Sequence, residues 1–270
     1  MPQSFRVPDG SAAKKAPEDP AIEALFARNR DWRERISKED PSFFPTLAKG
    51  QSPEFLYIGC SDSRVAISDL TGVQLGQLFV HRNIANMVVS ADLNLLSVLT
   101  YAVDILKVKH ILVTGHYDCG GIRAAAKQQD HGQVLNSWLQ NIRDVYRLYK
   151  EELDAIEDDE ARHRRLVELN VVEQCLNLYK TSVVQKARLE TSSDPNDSGL
   201  RPRIHGLVFD PATGKLSKIP IDFRKTVDEL HDQFALFDFQ GPSRIAGCET
   251  VGAEYLLPKK GPAAAAAKKN

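Results

Sequence analysis

Cysteine is scarce in this chain. Four occur in 270 residues, Cys60, Cys119, Cys175 and Cys248, too few and too scattered for a disulfide framework. A reducing compartment with free or metal-bound thiols is the default. No charge of one sign prevails: 35 Lys and Arg stand against 36 Asp and Glu. Nothing therefore points to nucleic acid or an anionic membrane as partner. No apolar run approaches the roughly 20 residues of a membrane span, and no apolar N-terminal stretch resembles a secretory signal. The opening "MPQSFRVPDGSAAKKAPEDP" mixes bases and serines with acids and prolines, which makes a poor transit peptide. The expected organisation is a disordered lead-in over 1–19, one domain over 20–240 and a flexible tail over 241–270, where "GPAAAAAKKN" is low in complexity. The expected compartment is the cytoplasm, with mitochondrion or chloroplast as alternatives.

What is present alternates between strands and helices. "PAIEALFARNRDWRERISK" (20–38) places Ile22, Leu25, Phe26, Asn29, Trp32 and Ile36 at helical spacing, which predicts a helical arm for packing on another subunit or on the outside of the domain. "FLYIGC" (55–60), "LFVHRN" (78–83) and "KHILVTGH" (109–116) are short apolar runs and read as strands. "ADLNLLSVLTYAVDILKV" (91–108) reads as one helix with Leu95, Leu99, Ala102 and Leu106 on one face. "GGIRAAAKQQ" and "QVLNSWLQNIRDVYRLYKEELDAI" read as helical, "EDDEARHRR" as a charged break, and 165–190 as one long helix. "IHGLVFDPATGKLSKIPI" (204–221) reads as a hairpin turning at "DPATGK". Alternating elements with continuous apolar strands predict an α/β fold: a mostly parallel central sheet of about five strands flanked by helices, with an N-terminal helical arm and a C-terminal hairpin edge strand.

Ligands of open α/β sheets bind at the carboxyl ends of strands. Cys60 ends the first predicted strand and His116 the third, with Cys119 following in "GHYDCGG". If those strands are neighbours, two thiols and an imidazole meet. That nitrogen-and-sulfur set suits Zn²⁺, and three protein ligands are the pattern of a catalytic site. Each residue alone has an ordinary reading: Cys60 as a small core residue, His116 as a hydrogen-bonded core or turn histidine, Cys119 as part of a turn. Asp62 and Arg64, two and four residues after Cys60, could form a polar turn or an ion pair beside the metal.

"CSDSR" followed by "GHYDCGG", with "GQLFVHRNIAN" and "DLNLLSVLTYAVDILKVKHILVTGH" between, resembles the β-class carbonic anhydrases over about residues 22–221. The resemblance implies Cys60, His116 and Cys119 as zinc ligands, one ion per subunit, and Asp62 with Arg64 as a catalytic dyad. The implied reaction is reversible hydration of CO₂ to bicarbonate and a proton by zinc-bound hydroxide. Asp62 would accept the hydroxide's hydrogen bond, and Arg64 would keep Asp62 ionised and in place. In a closed, inactive form Asp62 would become the fourth ligand. By position, Gln51 matches the family's donor to bicarbonate, and Phe79, Ile84 and Tyr101 match its pocket walls. Gly120 and Gly121 would let the following helix approach the site. On sequence alone, Phe79, Ile84 and Tyr101 read equally as core, and the two glycines as helix-entry residues. The family pocket lies across a subunit interface, so a homodimer or homotetramer is implied, with CO₂ and bicarbonate as ligands.

One departure bears on regulation. A subgroup of the family binds an inhibitory bicarbonate with a Trp, an Arg and a Tyr; here Arg82 matches the Arg, but Tyr57 and Phe209 replace the other two. That inhibition is not expected, and the resting site is expected to be open, with Asp62 paired to Arg64. Other functions considered are a zinc hydrolase acting on CS₂ or COS and a non-catalytic bicarbonate sensor. Cys175 reads as core and Cys248 as tail. His81, His110 and His205 read as structural, His131 and His163 as solvent-exposed and able to shuttle protons, and Trp32 and Trp138 as packing anchors.

Overall fold

Residues 19–192, 200–221 and 232–237 are described by the computed structural model of the chain. The lead-in up to residue 18 and the whole of the tail 241–270, Cys248 included, lie outside them. The chain divides after Gln51 into two units. In the N-terminal unit, α1 (Pro20–Glu39) starts where the Asp19 side chain accepts from the Ala21 amide, with Pro20 as the first helical residue. A short α2 (Phe43–Leu47) follows, and Trp32 meets Phe44 edge-on, 5.5 Å between ring centres. Ile22, Leu25 and Phe26 are exposed among the described residues, so the first half of the apolar stripe of α1 is left uncovered, while Trp32 packs on Phe44.

The second unit is built on a five-stranded sheet of order β2-β1-β3-β4-β5. The strands are β1 (Phe55–Cys60), β2 (Leu78–Asn83), β3 (His110–His116), β4 (Arg203–Asp210) and β5 (Lys215–Lys218). The first four run parallel and β5 returns antiparallel to β4. Gly214, at φ 70, makes the hairpin turn that a side chain would strain. The two central strands are almost wholly buried, as continuous apolar runs require. Among the helices α3 (Ile67–Thr71), α4 (Leu93–Thr100), α5 (Gly120–Ala125), α6 (Gln133–Leu148), α7 (Lys150–Asp154), α8 (Asp159–Tyr179) and α9 (Ser182–Ser192), α8 packs on β3 and β4. Leu166, Leu169, Val171 and Leu178 lie within the core.

Helix boundaries differ from the sequence reading in several places; the helix read from Gln133 onward divides at Tyr149 into α6 and α7, and the one read from Gly120 ends at Ala125. The segment 91–108 is not one α-helix: α4 gives way at Tyr101 to a wider turn closed by the Leu106 amide on the Tyr101 carbonyl at 3.0 Å. Such i+5 turns recur at functional sites, and this one carries a predicted pocket residue. The charged stretch 157–165 is a break only at its start: residues 155–158 separate α7 from α8, and the rest of the stretch is helix. The Asp158 carboxylate accepts from the Ala161 amide at 2.7 Å, and Asp159 and Glu160 occupy the first turn of α8, where the helix dipole favours acids. The predicted helix 165–190 is interrupted at Lys180 and Thr181, where the Thr181 hydroxyl donates to the Leu178 carbonyl at 2.7 Å and competes with the helical pattern.

Candidate metal centre and active site

Strand pairing assembles the site. β1 and β3 are neighbours in register, Gly59 opposite Thr114, so Cys60 and His116 end adjacent strands at the same edge of the sheet, one residue out of step. Cys119 lies one turn later, in extended conformation, as the residue that caps α5. The side chains are 5%, 0% and 1% exposed. Their ligand atoms all lie within 4.8 Å of one another, the one such cluster among the described residues. The two sulfurs are 3.9 Å apart; two thiolates on one tetrahedral zinc, each about 2.3 Å from it, stand roughly 3.8 Å apart.

The donor chemistry fits a cation as well as the spacing does. His116 Nδ1 lies 3.0 Å from the Tyr117 carbonyl, an acceptor, so Nδ1 carries the proton and Nε2 keeps the lone pair. Nε2 is buried without a hydrogen-bond partner, an arrangement that costs free energy unless something binds it. The Cys119 thiol drives the Cys60 thiol's pKa down by hydrogen bonding to its thiolate, and the His116 ring and the amides of Asp62 and Ala85 act in the same direction. Cys119 is pushed the other way by its bond to Cys60 and by burial. Proximity and burial thus disfavour two thiolates together in this pocket, and a divalent ion would favour both.

Asp62 stands beside the cluster, its Oδ2 3.8 Å from His116 Nε2. Both its oxygens face Arg64, with Nε to Oδ1 at 3.0 Å and Nη2 to Oδ2 at 2.7 Å. The Arg64 amide adds a third bond to Oδ1 at 2.9 Å. This grip holds the Asp62 carboxyl far below the usual carboxylate range.

The scaffold around the site is tightly specified. Arg82 donates to the carbonyls of Cys60 and Asp62 at 2.8 and 2.6 Å and so fixes the ligand loop. Ala85 and Asn86, at φ 64 and 49, are non-glycine residues in the left-handed region, where backbone strain needs support. Asn170 supplies it through a bond to the Ala85 carbonyl at 3.0 Å, and Trp138 through one to the Ile84 carbonyl at 2.9 Å.

A family model described as "Carbonic anhydrase" matches residues 55–216, which span both cysteines and the histidine. The chain belongs to the β-class carbonic anhydrase family. A carbonic anhydrase of Emericella nidulans is 53% identical over 199 residues, covering 74% of this chain and 83% of that relative. The tetrameric β-carbonic anhydrases of Sordaria macrospora include a structure 37% identical to it, with TM-score 0.70, covering 75% of this chain and 98% of that one. The β-carbonic anhydrase of Coccomyxa in complex with acetazolamide is 33% identical, with TM-score 0.72, covering 80% of this chain and 98% of that one. A β-class carbonic anhydrase is a zinc lyase, and the cluster in this one is able to bind the metal.

The remaining predicted residues of this carbonic anhydrase are placed as follows. The rings of Phe79 and Tyr101 stack with centres 5.6 Å apart. Ile84 and Tyr101 are 41% and 45% exposed, so plain core packing does not describe them. Gln51 closes the N-terminal unit and is exposed. A Cβ on Gly121 would come within 2.6 Å of Ile84 Cγ2, whereas one on Gly120 would meet nothing within 4 Å. Gly121→Ala is therefore expected to destabilise the fold by about 1–3 kcal/mol through overpacking and to displace Ile84. Gly120→Ala should leave the unfolding temperature unchanged or raised, and thermal unfolding of the pair checks the contrast.

Sequence reasoning erred on His163. It is buried, with Nε2 unpartnered, because α8 begins early enough to turn it inward. Tyr57 is also buried, its hydroxyl without a partner and its pKa pushed up to about 12 by burial. Asp118 was missed altogether: it lies in a left-handed turn at φ 55 between His116 and Cys119 and contacts Arg64. The available signal was an acid inside the His-x-x-Cys spacing with Arg123 one helical turn on.

Proposed function

We propose that this carbonic anhydrase hydrates CO₂ reversibly to bicarbonate and a proton, with Cys60, His116 and Cys119 as the zinc ligands and Asp62 and Arg64 as the dyad. The observation that carries the reading is the convergence of three buried soft donors next to a carboxylate gripped by a guanidinium. Zinc, when bound, lowers the pKa of water from 15.7 towards about 7 and so supplies a nucleophile at neutral pH. Asp62 acts as hydrogen-bond acceptor and turns the nucleophile's lone pair towards CO₂. Arg64 keeps Asp62 ionised and fixes its plane. Phe79, Ile84 and Tyr101 give CO₂ an apolar wall, Gln51 is the amide donor to a bicarbonate oxygen, and Gly121 admits α5 close to Ile84. Asp62 paired with Arg64 is the open, active arrangement.

A homodimer or homotetramer is part of this reading. Val80, Ile84, Leu93, Tyr101 and Ile105 are large apolar side chains exposed on β2 and the segments after it, and β2 is a sheet edge, a liability that a second subunit would cover. A cytoplasmic location is proposed with it; among the described residues no helix is long and apolar enough to cross a membrane. The test is elemental analysis and stopped-flow CO₂ hydration on the purified chain, with light scattering for the mass. One zinc per chain, rapid hydration and a multiple of the chain mass are expected. Metal-free folded protein, or zinc-loaded protein inert towards CO₂, overturns it; parallel assays with CS₂ and COS decide the alternative substrates.

A further inference from the structure

Arg64 is held from two sides. Besides gripping Asp62, its Nη1 donates to Asp118 Oδ2 and its Nη2 to the Asp118 carbonyl, both at 3.1 Å. The other carboxylate oxygen of Asp118 accepts from Arg123 Nη2 at 3.0 Å. Arg123 meets Glu160 in a two-pronged pair, Nη1 to Oε1 at 2.7 Å and Nη2 to Oε2 at 3.0 Å. Five charges of alternating sign thus run unbroken from Asp62 through Arg64, Asp118 and Arg123 to Glu160. The last lies in the first turn of α8, a helix anchored in the core.

Stability alone is a poor reason for this chain. Asp118 and Glu160 are largely exposed, and ion pairs at the surface contribute little. Orientation is a better one. The Arg64 side chain is 46% exposed, long and flexible, and a partner only two residues away leaves it several ways to turn. A planar fork with acceptors on both sides keeps one orientation. The second acceptor comes from the same turn that presents His116 and Cys119, so the dyad is referenced to the metal ligands themselves. Asp is among the few side chains at ease in that left-handed conformation.

We propose that Asp118, Arg123 and Glu160 are positioning residues that set the angle of Arg64, and through it the Asp62 carboxylate, for CO₂ hydration; this rests on the dyad reading above. The test is kcat/KM for CO₂ hydration per bound zinc, with thermal unfolding alongside. Asp118→Asn is expected to lose roughly tenfold, the scale of an outer-shell partner, with zinc content and unfolding temperature unchanged. Arg123→Gln should lose less, Arg123→Lys should recover part of that loss, and the Asp118→Asn, Arg123→Gln double variant should lose no more than Asp118→Asn, since both act along one path. Glu160→Gln, on an exposed first turn, gives the same reading should Asp118→Asn fold poorly. A parent-like kcat/KM per zinc in Asp118→Asn or, if that variant folds poorly, in Glu160→Gln, or losses that multiply in the double variant, overturns the proposal. So does a loss that only follows falling stability. If Asp62→Asn is itself fully active, the dyad reading and this proposal fall together; if Asp62→Asn is crippled and Asp118→Asn is not, only the positioning role falls.

Discussion

Cys119→Ser is expected to remove zinc and CO₂ hydration together. The change puts a hydroxyl in place of one sulfur where the side chain is almost wholly buried, which costs stability unless the hydroxyl finds a partner, so thermal unfolding is followed alongside to show that the fold survives. A thiolate is the ligand; a serine hydroxyl stays protonated and leaves the ion with two protein donors. The loss of affinity should exceed the roughly 10–100-fold cost of losing an outer-shell partner, and activity should fall to the buffer background. Cys60→Ser should behave alike, because the two sulfurs lie 3.9 Å apart, the spacing of two thiolate ligands of one tetrahedral ion. Elemental analysis after dialysis and stopped-flow hydration check this. Full zinc and full activity in either variant would remove the cluster from the chemistry. The same logic gives the pH sign: the ligands must shed protons to bind, so zinc affinity falls as pH falls.

Asp62→Asn should leave zinc in place and lower kcat/KM by about 10²–10³-fold, the scale of losing one preorganised polar group at a reacting centre. Shape is nearly conserved. What goes is a charge and one of two acceptors facing the Arg64 fork, and an amide cannot satisfy both prongs. Arg64→Lys should cost less, since an ammonium keeps the charge but not the two-pronged grip. Zinc content separates this outcome from the ligand variants. An Asp62→Asn protein with undiminished kcat/KM would take the dyad out of the mechanism.

Much of this was legible in the chain. β1 and β3 read directly as apolar runs because buried parallel strands need no polar face, and Cys60 and His116 then fell at strand ends. The hairpin of β4 and β5 was marked by its turn residues. What sequence alone did not reveal depends on partners distant in the chain. The charge run before α8 looked like a break because its acids resemble a linker, yet Asp158 and Glu160 are a cap and an anchor. His163 looked exposed because charged neighbours surround it in sequence, although the helix turns it inward. Asp118 was marked in sequence only by its place inside the His-x-x-Cys spacing and by Arg123 nearby; its main partner, Arg64, lies 54 residues earlier.

The pairing of β1 with β3 has a consequence for assembly. A slip of one residue along this ladder would move Cys60 by about 3.3 Å relative to His116 and reverse which side chains face each way, so ligand atoms that now all lie within 4.8 Å would no longer converge. A chain so misaligned could hide its apolar residues well enough to look folded, but it could not capture the ion. The fraction of refolded molecules that take up zinc is therefore a direct count of those whose central ladder has closed in the native alignment.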